Sequence, residues 1–89
     1  MVKVMTYGGI VQEILVPDQN GELVDVVLGF PRVCDYERDH PYFGATVGRI
    51  AGRVSNAELN IDGKRFPLLA NDPPNHLHGG KESIDRRVW

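Results

Sequence analysis

Two short stretches of this 89-residue chain gather residue types that can do chemistry. The first is Gly48-Arg49-Ile50-Ala51-Gly52-Arg53-Val54. An arginine at the border of a cleft aims five fixed donors at neighbouring oxygens, which suits the hydroxyls and ring oxygen of a sugar in a way lysine cannot reproduce. The second stretch is Asn75-His76-Leu77-His78-Gly79-Gly80. On an extended strand His76 and His78 project to the same side, and the glycine pair lets a ligand approach the backbone. A neutral imidazole donates from one ring nitrogen and accepts at the other, as hydroxyl recognition or proton transfer requires.

Each cluster also has an ordinary explanation. Most arginines are exposed, so by itself Arg53 reads first as a surface arginine in a solvent-exposed pair, and each histidine reads as a loop residue held by one hydrogen bond. Arg49 and Arg53 would share a face in a helical turn and would be split by an irregular extended path, so their spacing leaves both open. A metal reading is available as well, because His76-x-His78-x-x-x-Glu82 offers two imidazoles and a carboxylate to a divalent ion. That spacing is similar to the first motif of the cupin β-barrels, although Ala70 and Trp89 stand where the cupin pattern has glycine and no second histidine motif follows. Gly79-Gly80-Lys81 lacks the upstream glycine of a phosphate-binding loop, and Glu82 stands in place of its serine or threonine. Neither Ser55 nor Ser83 lies in a nucleophile elbow. Cys34 is the sole cysteine, has no histidine beside it, and reads as a structural thiol.

The elements that must position these residues are short. Val2, Val4, Ile10, Val11, Ile14, Leu15 and Val16 predict two strands broken at Gly8-Gly9. Pro17-Asp18-Gln19-Asn20-Gly21 is a turn, and Leu23 to Phe30 is again strand-like, so residues 9–30 read as a hairpin. Pro31 to Tyr42 is a loop with room for a short helix. Ala57 to Ile61 and Lys64 to Leu68 predict a second hairpin around Asp62-Gly63, with Leu59 and Ile61 on one face. The glycine-rich run from Gly44 to Val54 reads as backbone packed closely against something, and Asn71 to Asn75, with two prolines, as a loop leading to His76. Strands and turns in this order predict an all-β chain, an antiparallel β-sandwich with minor helices.

Composition agrees with a folded protein: 42% of residues are apolar and 25% charged. A chain of this size is one small domain or a piece of a larger one, because it buries only about 60% of its unfolded surface. The net charge of −2 offers no basic face to nucleic acid. The apolar runs are far shorter than the roughly 20 residues that cross a bilayer, and the first residues do not read as a secretory signal, so a cytoplasmic location is expected.

Motif order resembles the aldose 1-epimerase (galactose mutarotase) family across nearly the whole chain. Tyr7-Gly8-Gly9 is similar to its early Tyr-Gly-Ala, and Asp25-Val26-Val27-Leu28-Gly29-Phe30 and Pro41-Tyr42-Phe43-Gly44-Ala45 follow in the expected places. Gly48 to Val54 resembles the family's Gly-Arg-x-Ala-Asn-Arg-Ile, and Asn71 to Gly80 resembles its Leu-His-Gly-Gly signature. Gly52 stands where the family usually has an asparagine that touches the sugar, and Ser83-Ile84 where glycine and an aromatic are usual.

The resemblance implies the N-terminal part of a single, larger β-sandwich domain that binds a hexose such as galactose or glucose and interconverts its α and β anomers without a cofactor or metal. Arg53 and His78, with the Gly52 position, carry over as sugar-binding. The resemblance also implies that a glutamate base and a histidine acid come from later in a longer chain, so neither catalytic residue is expected within residues 1–89. A non-catalytic sugar-binding or interaction module remains the alternative, with the cupin-like metal protein behind it. An incomplete sandwich would leave apolar edges exposed, which predicts self-association.

Overall fold

Valine, isoleucine and leucine at alternating positions favour pleated backbone, and a computed structural model describing residues 1–89 places them in strands. Two units are distinguished: Met1–Thr46 with Asp85–Trp89, and Val47–Ile84.

In the first unit β1 (Val2–Val4), β2 (Val11–Pro17) and β3 (Leu23–Asp25) form an antiparallel sheet in the order β1-β2-β3. Val2 lies opposite Ile14 and Leu15 opposite Asp25, with the β1–β2 register slipping between Lys3 and Val4. The turn between β2 and β3 is organised by one side chain. Asp18 Oδ1 accepts the backbone N–H groups of Asn20 at 2.8 Å and Glu22 at 2.9 Å, the local competition for backbone donors at which aspartate excels.

The strand expected over Leu23 to Phe30 ends at Asp25. Asp25 Oδ1 accepts the N–H groups of both Ile14 and Val27 at 3.0 Å, so a carboxylate oxygen stands in for a ladder carbonyl and the chain leaves the sheet. Beyond it the Gln12 side chain donates to the carbonyls of Phe30 and Pro31, at 3.1 and 3.3 Å.

The short helix expected in the following loop is α1 (Val33–Tyr36). It buries Tyr36, whose hydroxyl accepts the Phe30 N–H at 2.7 Å. Phe30, Tyr36 and His40 meet edge to face with ring centroids 5.2 to 6.2 Å apart, the arrangement aromatic quadrupoles favour. His40 Nδ1 accepts the Tyr42 N–H at 3.0 Å. Burial, with the Arg86 guanidinium nearby, pushes the His40 imidazole below its ordinary pKa, against the opposing pull of Asp85, the Tyr36 backbone carbonyl as acceptor, and Asp39. At the surface, Arg32 grips Asp35 through two parallel bonds of 3.0 and 2.9 Å, which lowers the Asp35 carboxyl and raises the guanidinium. Cys34 is exposed on α1, so it does not pack as a structural thiol would.

The second unit holds β4 (Arg53–Val54), β5 (Glu58–Ile61), β6 (Lys64–Pro67) and β7 (His76–Leu77). The expected hairpin is β5–β6, with Glu58 opposite Pro67 and Ile61 opposite Lys64. Asp62 and Gly63 both take positive φ, +51° and +76°, the type I′ geometry whose twist matches the strands it joins. The other pairing, β4 with β7, is also antiparallel.

All sheet pairings are antiparallel, and helix is confined to α1 and two 3₁₀ turns, so the chain is all-β as expected. No helix is long and apolar enough to cross a membrane. The buried apolar set is small: Ile10 and Tyr36 in the first unit and Ala57 in the second. Val2, Val4, Leu23, Val26 and Leu28 in the first unit and Ile61, Phe66 and Leu69 in the second are exposed.

Candidate functional site

The β4–β7 ladder carries Arg53 opposite Leu77 and Val54 opposite His76. A ladder of two pairs is short, and side chains complete it. On the far side of β7 the Asn71 amide takes the role of a neighbouring strand: its Oδ1 accepts the Leu77 N–H at 2.8 Å and its Nδ2 donates to the Leu77 carbonyl at 2.9 Å. At the end of the ladder the His78 N–H donates to the Gly52 carbonyl at 3.0 Å, while the Gly52 N–H donates to His78 Nδ1, also at 3.0 Å.

That last bond settles the chemistry of the His78 ring. With Nδ1 accepting, the proton of the neutral imidazole sits on Nε2, which becomes a hydrogen-bond donor. His76 is the opposite case. It is buried, and its Nδ1 faces the Leu69 carbonyl at 2.8 Å; a carbonyl only accepts, so here Nδ1 carries the proton. The ordinary explanation, a histidine held by a hydrogen bond, thus applies to both rings: His76 is held from strand β7 by the Leu69 carbonyl, and His78, just beyond the strand, by the Gly52 N–H.

The expectation that His76 and His78 project from one side of a strand is not met. β7 ends at Leu77, and His78 has φ +51°, in the left-handed region, which turns its side chain out of the strand alternation. The metal reading fails for the same reason: no group of three or more His, Cys, Asp or Glu side chains that could hold an ion is present, and Glu82 is exposed.

The glycines of the second motif serve the chain itself. Gly79 has φ +91°, and a Cβ there would collide with the Gly48 carbonyl oxygen, so backbone from the first motif occupies the space the sequence reserves for a ligand. The expected close packing of the Gly44–Val54 run is thereby met at Gly48. Gly52 differs: its φ is +79°, but nothing lies within 4 Å of where its Cβ would be.

Arg53 is well exposed, its side chain 62% accessible, and its Nε pairs with Asp72 Oδ2 at 2.6 Å. This is the solvent-side pair that composition alone favoured, and it joins two residues of the same ladder region. Arg49 is exposed. Asn71 and Asp72 were not singled out as functional residues from the sequence. The available signal was a polar Asn-Asp pair placed immediately before two prolines, a setting in which side chains are fixed by a rigid turn.

Comparison with known proteins covers the whole chain. The family model described as Aldose 1-epimerase matches residues 1–89. The galactose mutarotase of Sus scrofa is 41% identical over 88 residues, covering 99% of this chain and 26% of the relative. The aldose 1-epimerase of Lactobacillus helveticus is 37% identical over 89 residues, covering 100% of this chain and 64% of the relative. A solved structure of a GalM/aldose epimerase homologue from C. elegans superposes with a TM-score of 0.91 at 36% identity, over 99% of this chain and 27% of that one. The chain thus spans about a quarter of the length of the mammalian relatives it matches.

Proposed function

We propose, from the premise that this chain belongs to the aldose 1-epimerase family, that it carries part of the hexose site of a mutarotase acting on sugars such as galactose or glucose. In this reading Arg53 and the Nε2–H of His78 bind and orient the sugar, and Gly52 contributes backbone. The observation that carries it is the reciprocal pair of bonds between Gly52 and His78, which sets an imidazole donor at the rung next to Arg53. Both groups are donors, so both address lone pairs: the ring oxygen and hydroxyls of a pyranose.

Anomer exchange needs a base to take the proton from the anomeric hydroxyl while an acid protonates the ring oxygen, after which the C1 aldehyde rotates and the ring recloses. His78 is assigned to binding in this reading, because its Nδ1 is committed to the Gly52 N–H. The base and acid belong to the remainder of a single sandwich domain, the chemistry requires no cofactor, and a cytoplasmic location fits. The exposed valines and leucines of the first unit support self-association of the isolated chain.

The test is a galactose titration of the ¹⁵N-labelled chain followed by NMR, with polarimetry beside it. Binding that Arg53→Ala and His78→Ala each weaken, without faster mutarotation by the chain alone, is expected. Galactose binding unaffected by both substitutions would refute the assignment.

A further inference from the structure

The Arg53 guanidinium is not free to sample solvent as an exposed arginine ordinarily does. Asp72 Oδ2 takes its Nε from the side, at 2.6 Å, rather than the outer fork of the group. A single contact at Nε leaves the two terminal amino groups, a ready bidentate edge, clear of the pair.

Asp72 is itself held on both backbone sides. Its N–H donates to the Asn75 carbonyl at 3.1 Å and its carbonyl accepts the Asn75 N–H at 2.7 Å, closing a four-residue turn around Pro73 and Pro74. Proline removes backbone freedom at both central positions, so the carboxylate starts from a nearly fixed Cα. The preceding residue, Asn71, clamps Leu77, which is the ladder partner of Arg53. Both ends of the ion pair are therefore tied to β7 through their backbone, and the Nε contact lowers the side-chain entropy to be lost when a ligand arrives.

Charge adds a second consequence. A neutral sugar needs donors and no net charge, whereas a carboxylate or phosphate gains from an uncompensated guanidinium and is repelled by a neighbouring carboxylate. We propose that Asp72 is a positioning and specificity residue of the site: it orients Arg53 through Nε and offsets its charge, so that the site takes uncharged sugars over anionic ones such as uronates. This rests on the reading of Arg53 as a sugar-binding residue.

The experiment titrates the ¹⁵N-labelled chain with galactose and, separately, with galacturonate, comparing wild type, Asp72→Asn, Asp72→Glu and Arg53→Ala. Wild type is expected to favour galactose. Asp72→Asn is expected to weaken galactose roughly two- to fivefold, the range for an exposed ion pair, and to narrow or reverse the preference over galacturonate. The Arg53 Nε–H resonance moves in the same variant, and Asp72→Glu restores both. An unchanged galactose-to-galacturonate ratio in Asp72→Asn, while Arg53→Ala abolishes galactose binding, overturns the inference and leaves the sugar site standing. Equal loss of both ligands together with shifted β4 and β7 amides marks a purely structural role and also overturns it. Galactose binding that survives Arg53→Ala, or is missing from wild type, removes the sugar reading and this inference with it.

Discussion

The β1-β2-β3 sheet and the β4–β7 pair are both antiparallel, yet they are held by different means. In the sheet the seven-residue β2 pairs along both edges, and backbone makes the ladder except at its end, where Asp25 Oδ1 accepts the Ile14 N–H. In the β4–β7 pair two rungs of backbone are supplemented by the Asn71 amide, the His78 imidazole and the Arg53–Asp72 ion pair. Side chains that complete a ladder are themselves fixed by it. A site gains preorganised donors in this way, at the cost of depending on single residues.

The largest test of that contrast is Gly79→Ala. Left-handed φ combined with collision on the Gly48 carbonyl predicts a loss of about 3 kcal/mol or more, read by urea denaturation at amides of the second unit. A loss well under that would mean the Gly48–Gly79 approach is easily relaxed.

Asn71→Ala comes next. It removes two part-buried bonds and strands the Leu77 N–H and carbonyl, for an expected loss of about 2 kcal/mol and faster exchange of the Leu77 amide. The counterpart in the first unit, Gln12→Ala, deletes bonds to Phe30 and Pro31 that lie outside the ladder, and should cost under about 1 kcal/mol. Equal losses would erase the distinction between the two regions.

The smallest effect concerns pH and belongs to the first unit. His40 has a folded pKa below its ordinary value of 6.5, so the unfolded chain binds the proton more readily. Its contribution to stability is complete above that ordinary value and is lost as pH falls from it toward the depressed folded value. Thermal melts from pH 7.5 to 5 should show this decline, and His40→Phe, which keeps a ring among Phe30 and Tyr36, should flatten it. An unchanged slope would remove His40 as the cause.

The strands of both hairpins were legible because they rest on local signals: β-branched residues, the Asp18 turn and the Asp62-Gly63 pair. The end of β3 was not, because Asp25 acts through a carboxylate that accepts two N–H groups on different segments, which no alternation pattern contains. The same holds at the site. Arg53 and His78 stood out by residue type and motif order, whereas the partners that orient them, Asp72 and the Gly52 N–H, are contacts 19 and 26 residues away in sequence. The strand pattern also placed His76 beside His78 on one face, since alternation assumes extended backbone and His78 leaves it.

The most direct test of the sugar assignment is ¹⁵N NMR of the imidazole nitrogens during a galactose titration. The two histidines begin as opposite tautomers, protonated on Nε2 in His78 and on Nδ1 in His76. Galactose is expected to shift the Nε2 signal of His78 and leave both nitrogens of His76 unmoved. Movement at His76 alone, or at neither ring while galactose binds elsewhere, would contradict it.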